Sequence, residues 1–279
     1  MEGMTAEEML ATPDLIAVGI EGDEVRRRMH GAQTTFVRVL EVHVDAPLHS
    51  LPSAAQPGEI RIVGVPSSID AAVAAVRAAV SVANTIPVTG YSVSDLLAIG
   101  QLEVAARRLK DAGLAAISHL PLDLVTQAES AARAILDANL AINTMTVHKL
   151  EDEYRIAICE RARALQEQVG GFKAFAPLPR SMSVTKPTTG YDDMKLVALA
   201  RVVCVNVPSI QVDWQLYGPK MAQVALTVGA DDVDNVSAVD PGVLGTRRSP
   251  LEEIKRNITA AALESIERDG LFRPRPVRT

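Results

Sequence analysis

Two short acidic stretches hold the residues best suited to chemistry. GADDVD (229–234) supplies Asp231, Asp232 and Asp234, and QVDW (211–214) supplies Gln211, Asp213 and Trp214. On a strand, period-two alternation places Gln211 and Asp213 on one face. Inside a barrel such side chains are tolerated best near the open end, where ligand or water meets their polar atoms. The functional reading is a hydrogen-bonding rim for a ribose or a carboxylate. Aspartates in these places also cap the helix or turn that follows, and the residues alone leave both readings open. His148 follows the fifth apolar run. With Asp231 or Asp234 it forms a candidate acid and base pair, although an isolated histidine also serves structural ends.

Other residues suggest further chemistry. His43, His49 and His119, with Asp45 nearby, are candidate ligands for a metal or haem-type site, set at irregular spacing. Lys220 follows Gly218 and Pro219 at an expected helix start. A cation there opposes the helix dipole and favours anion binding; the alternative is an exposed lysine. Arg247 and Arg248 in GTRRS precede a helix cap and read as a carboxylate or phosphate fork or as a solvated pair. The two cysteines, Cys159 and Cys204, lie far apart in apolar helical patterns. They read as small packed hydrophobes and cannot alone supply a tetrahedral zinc or four-thiolate iron–sulfur site. No serine stands on a GxSxG turn and no HExxH is present.

These residues need elements to position them. Apolar runs at 34–42, 60–64, 85–90, 114–118, 140–147, 172–178, 209–213 and 231–236 have the length and β-branched content of buried parallel strands. Helical patterns lie between them at 67–84, 92–113, 122–139, 150–171, 191–206 and 218–229, and a last one at 249–270 opens with a serine cap and Pro250. Strict alternation implies βαβ units, and eight strands imply a (β/α)₈ TIM-type barrel. The first crossover is degenerate, because prolines at 47, 52 and 57 leave no room for a helix. We expect a single domain over 1–279, with an N-terminal helical extension at 1–33 and a C-terminal helix and tail at 249–279. The shortened crossover should expose an apolar flank that a partner covers.

With 48% hydrophobic residues the chain can bury a full core. Its net charge of −6, from 34 acidic against 28 basic residues spread along the chain, offers no field for nucleic acid. An acidic start and the lack of an 18-residue apolar window suggest a cytoplasmic protein without a membrane span.

The runs GGFKAFAPL (170–178), QVDWQLYGPKMAQVALTVGADDVD (211–234) and SPLEEIKRNITAAALESIERD (249–269) resemble the radical S-adenosylmethionine enzymes of the futalosine route to menaquinone. Among that family's members the chain resembles aminofutalosine synthase and dehypoxanthine futalosine cyclase. DEVRRRMHGAQTTFVR (23–38), RRLKDAGL (107–114) and NTMTVHKLEDEYRIAICERARALQEQ (143–168) extend the likeness over most of the chain. The resemblance implies a histidine of the active-site mouth at His148. It also implies a CxxxCxxC loop after the first strand, whose thiolates hold three irons of a four-iron cluster. Here that place reads HVDAPLHSLPSAAQPG, without cysteine, and the family's glycine-rich turn after the fourth strand is replaced by SHLPLD (118–123).

The paired departures lead to an expected function. The chain reads as a cluster-less barrel that binds a small molecule or serves a partner, with no 4Fe-4S cluster and no S-adenosylmethionine. The partner would be a second copy or a cluster-bearing paralogue. The alternatives are an enzyme of another class using the retained nucleoside-type pocket, or the histidine metal site.

Overall fold

The alternation folds as expected in the computed structural model, which describes residues 3–181, 188–240 and 249–276. Eight parallel strands close a barrel: β1 (Gln33–His43), β2 (Glu59–Val63), β3 (Val88–Ser92), β4 (Ala116–Pro121), β5 (Ala141–Thr146), β6 (Ala174–Ala176), β7 (Ser209–Asp213) and β8 (Asp232–Ser237). Neighbours pair in chain order, and β1 joins both β8 and β2. Helices α3 (Ile69–Ala83), α4 (Val93–Ala98), α5 (Leu102–Asp111), α6 (Ala128–Asp137), α7 (Arg155–Gln168), α8 (Gly190–Val203), α9 (Trp214–Ala225) and α10 (Pro250–Ala260) follow the strands. Among the described residues no helix is long and apolar enough to cross a membrane.

The N-terminal extension forms α1 (Ala6–Ala11) and α2 (Leu15–His30). Asp14 caps α2 by accepting from the Ala17 amide at 3.0 Å, which satisfies one of its unpaired first-turn donors. Gly22 lets α2 settle onto the barrel's outer layer. A Cβ there would stand 2.1 Å from the Val228 carbonyl oxygen and 3.0 Å from Ala198.

Three expectations need correction. The segment read as one helix at 249–270 ends at Ala260, and Glu264–Glu267 form a ninth strand, β9, parallel to β1. The cause is register: β2 pairs with β1 only from Val39 onward, so the edge at Gln33–Phe36 is open and β9 fills it. Ala262, at φ 59°, makes the turn between helix and strand. The helix read over 92–113 breaks into α4 and α5 at Gly100 (φ 78°) and Gln101 (φ 52°).

The third correction concerns the first crossover. It contains no helix, as the prolines dictate, but it does not expose the flank. Leu48 and Leu51 of the loop pack against the core, and Val42, Val44, Ile60 and Ile62 are buried. The loop's return leg is held by the Gln56 amide donating to Ala238 O at 2.9 Å. The loop does for β1 and β2 what a helix does for the other strands.

Candidate active site at the barrel mouth

The barrel interior is charged where such interiors are usually filled by branched aliphatic side chains. In-register pairing sets Gln211 beside Asp232 and Asp213 beside Asp234, and these two pairs define two layers. In the lower layer Asp232 accepts both arms of Arg268, at 2.6 and 2.7 Å, the Gln211 amide at 2.8 Å and the Thr35 hydroxyl at 2.5 Å. Arg268 comes from the turn after β9, which runs under the barrel. Its guanidinium lies 3.7 Å over the Phe272 ring, and Gly270 O accepts from Asn143 Nδ2 of β5 at 2.7 Å. This turn is the floor.

In the layer above, Arg61 of β2 grips Asp234 with two bonds of 2.8 Å and Glu59 with bonds of 2.7 and 2.9 Å. Glu59 also accepts from the Thr89 hydroxyl. Burial works against the charge of Arg61, but Asp234 and Glu59 outweigh it and hold its pKa well above the ordinary value. Burial would likewise raise the Asp234 carboxyl, but Arg61 and Arg268 overcome it and the pKa falls. Such fork-on-fork pairing is how charge survives without water.

Asp213 stands at the top of β7 with two tasks. Its Oδ1 caps α9 by accepting from the Gln215 and Leu216 amides at 2.9 and 3.0 Å. Its Oδ2 accepts from Arg180 at 3.2 Å. Burial and the nearby Asp234 raise its pKa against the pull of Arg180.

Above these layers a cavity of ≈ 310 Å³ opens at the C-terminal ends of β1 to β5. Arg61, Arg180, His119, His148, Tyr91, Ser118, Glu41 and Asp95 bring polar groups to its wall, while Ile62, Val63, Pro121 and Leu124 supply apolar surface. Its position is the ligand end of a barrel, and its size is at the low end for small-molecule sites. His148 is fixed on this rim. Asp123 accepts from the His148 and Lys149 amides, both at 2.7 Å, and the ring Nε2 lies 3.1 Å from the Ser181 hydroxyl.

The residues read from the sequence separate. His148 and His119 reach the cavity, and Asp234 and Asp213 lie just beneath it. Asp231 faces the other way, because neighbours along a strand point to opposite faces. It is bound by Arg201 of α8 and by the Ile210 amide at 2.8 Å, with His30 Nε2 at 3.4 Å, so it cannot act with His148. Gln211 and Asp232 belong to the lower layer, bonded to each other, and do not form a rim. Trp214 is buried in the hydrophobic cluster at the start of α9. Lys220 is exposed, beyond a break in α9 at Gly218. Arg247 and Arg248 lie outside the described residues.

The three histidines of the two remodelled loops do not meet as ligands. His43 and His49 are exposed, with His43 Nδ1 3.6 Å from Asp45 Oδ2, whereas His119 lies in the mouth wall. Among the described residues no group of three His, Cys, Asp or Glu could hold a metal ion. Burial, with Arg180 and Arg61 alongside, holds the His119 pKa well below the ordinary histidine value.

Sequence reasoning missed Arg61, Arg180 and Asp95. Arg61 carried a usable signal: an arginine inside the apolar strand IRIVG needs buried carboxylates. Arg180 follows β6 and Asp95 lies in α4, which follows β3, and only the closed barrel reveals that they face one cavity.

Comparison with known proteins finds likeness in sequence and, separately, in fold. Residues 172–277 match the family described as the CofH/MqnC C-terminal region. The chain is 33% identical over 136 residues to aminodeoxyfutalosine synthase of Thermus thermophilus, covering 43% of this chain and 36% of the relative. It is 34% identical over 137 residues to the 5-amino-6-(D-ribitylamino)uracil–L-tyrosine 4-hydroxyphenyl transferase of Methanothermobacter thermautotrophicus, covering 43% and 37%. These matches span little more than a third of each relative. In fold the chain is similar to the FeFe-hydrogenase maturase HydG of Carboxydothermus hydrogenoformans, with a TM-score of 0.67 at 11% identity over 98% of this chain and 77% of that one. Methylornithine synthase is similar at a TM-score of 0.63 and 9% identity, over 95% and 94%.

Proposed function

We propose that this chain, whose residues 172–277 match the CofH/MqnC C-terminal region, is a divergent relative of the radical S-adenosylmethionine enzymes of the futalosine route, without radical chemistry, which binds a small molecule in its mouth or serves as a partner subunit. One observation carries this reading. The crossover between β1 and β2, where the family's cluster loop belongs, has no cysteine and is packed down by Leu48 and Leu51. The chain's two thiols lie together elsewhere, with Cys204 Sγ donating to the Cys159 carbonyl at 3.2 Å. Burial raises the pKa of both, that of Cys204 to about 12. Iron needs thiolates, so the donor set does not fit a cluster, and an open iron for S-adenosylmethionine goes with it.

What the fold retains is the cavity, with Arg180 and His148 on its wall. A partner subunit would dock on α2, where Ile16 and Ile20 are 77% and 54% exposed, and not on the covered β1 flank. The candidate partner is a second copy or a cluster-bearing relative.

The test is anaerobic reconstitution with ferrous iron and sulfide, followed by desalting, iron and sulfide analysis, and titration with S-adenosylmethionine. We expect background iron and no binding heat. A stoichiometric cluster, about four irons per chain, would overturn the reading. Native mass spectrometry of protein captured from its source cells then reports bound small molecules and partner subunits together.

A further inference from the structure

Three polar groups in the mouth have capacities that binding alone does not use. His119 lines the cavity, and its Nδ1 is buried without a hydrogen-bond partner among the described residues. No solvent reaches that Nδ1, so Nε2, on the other edge of the ring, is the nitrogen that a ligand in the cavity can meet. The ring is neutral at pH 7, since burial, Arg180 and Arg61 all disfavour its charge. In the Nε2–H tautomer it donates one hydrogen bond. Arg180 lines the same cavity, is 27% exposed and, among the described residues, gives a side-chain hydrogen bond only to Asp213, which leaves N–H groups to face an anion. Asp95, in the first turn of α4, is the third. Burial raises its pKa, opposed by hydrogen bonds from Ser92 and Ser94 and by the charge of His148. The result is a carboxylate more basic than one in water.

Resting on the reading of the mouth as a small-molecule site, we propose that it enolises small 2-oxo acids: Arg180 takes the carboxylate, Asp95 removes a proton from the carbon beside the ketone, and His119 hydrogen-bonds the ketone oxygen. The C–H electron pair becomes the C=C bond of the enolate, and the C=O π pair moves to oxygen. A neutral imidazole suits that developing oxyanion, as in other barrels that move protons next to carbonyls. Asp95 exchanges its proton with water and returns a solvent proton to carbon. Nothing is oxidised or reduced, and no co-reactant is consumed. The small cavity, with apolar Ile62 and Leu124 beside the polar triad, suits a ligand of a few carbons.

The probe is pyruvate in D₂O, with its methyl signal followed by proton NMR. We expect methyl exchange at least tenfold above the buffer rate, and acetone, which lacks the carboxylate, at the buffer rate. Asp95→Asn should lose about 100-fold in exchange while pyruvate still gives saturation transfer. Arg180→Gln should lose the saturation transfer itself. His119→Asn should slow exchange more than tenfold with saturation transfer kept, and serves if either other variant fails to melt cooperatively. Exchange at the buffer rate, or undiminished exchange in Asp95→Asn, overturns the proposal. Saturation transfer without exchange sinks the enolisation and leaves the binding reading intact, whereas a reconstituted cluster sinks the cluster-less reading on a separate measurement.

Discussion

Arg268 and Asp232 meet through two hydrogen bonds of 2.6 and 2.7 Å in the barrel floor, both side chains at most 1% exposed. The arginine arrives on the turn after β9 and the aspartate on β8, so the pair ties the last strand of the barrel to the segment that closes its base. Arg268→Met should therefore leave Asp232 charged, buried and without its counter-ion, a change that costs about 3–5 kcal/mol. Urea unfolding should report a loss in that range. Replacing Asp232 as well, by Leu, should recover part of it, with the remainder due to Gln211 and Thr35, which also bond Asp232. If Arg268→Met unfolds at the native midpoint, the floor does not depend on the pair.

His119 provides a pH signature. Its folded pKa lies well below the unfolded value, through burial and the charges of Arg180 and Arg61, with Asp234 as the opposing neighbour. Below the unfolded pKa the unfolded chain therefore binds a proton that the folded chain refuses. Stability is full above about pH 6.5 and falls as pH drops through that value, by up to about 1.4 kcal/mol per pH unit for one group. Melting curves at pH 7, 6 and 5 should show this fall, and His119→Asn should lose one group's share of it. Equal slopes for the two proteins would mean that His119 takes up its proton equally in the folded and the unfolded chain.

How much of this was legible follows from what each residue had to signal locally. Most of the strands could be read because they are short apolar runs, largely buried on both faces. The proline-spaced crossover could be read because proline removes helix. β9 could not. Its residues, Glu264 to Glu267, fall inside the run read as a helix from Ser249 to Gly270, and only the late pairing of β2 with β1 creates the open edge that captures them. For the site, alternation alone would have separated Asp231 from Asp232 and Asp234. The pairing of Asp234 with Arg61, 173 residues away in sequence, needed the closed barrel.

The contact between α2 and the outer layer turns on Gly22. An added Cβ would fall 2.1 Å from the Val228 carbonyl oxygen, so the helix or the Val228 turn has to move. Gly22→Ala should cost about 1–3 kcal/mol, the usual price of overpacking. For a domain this size each kcal/mol lowers Tm by about 2–4 °C, which differential scanning calorimetry resolves. No change in Tm would mean that α2 shifts freely on the barrel.

The thiols test the cluster-less reading from the protein side. Cys159 and Cys204 are both buried, with pKa values raised by burial and, for Cys159, also by Cys204. The thiolate is the reactive and metal-binding form, so a thiol that stays protonated resists both alkylation and iron. Native protein at pH 8 should release essentially no thionitrobenzoate from Ellman's reagent over minutes, and both thiols should react once the chain is unfolded in guanidinium. Ferrous iron under anaerobic conditions should leave the native trace unchanged. Prompt reaction of one thiol in the folded protein, suppressed by iron, would show a thiolate available to metal and would reopen the question of a cluster built on other ligands.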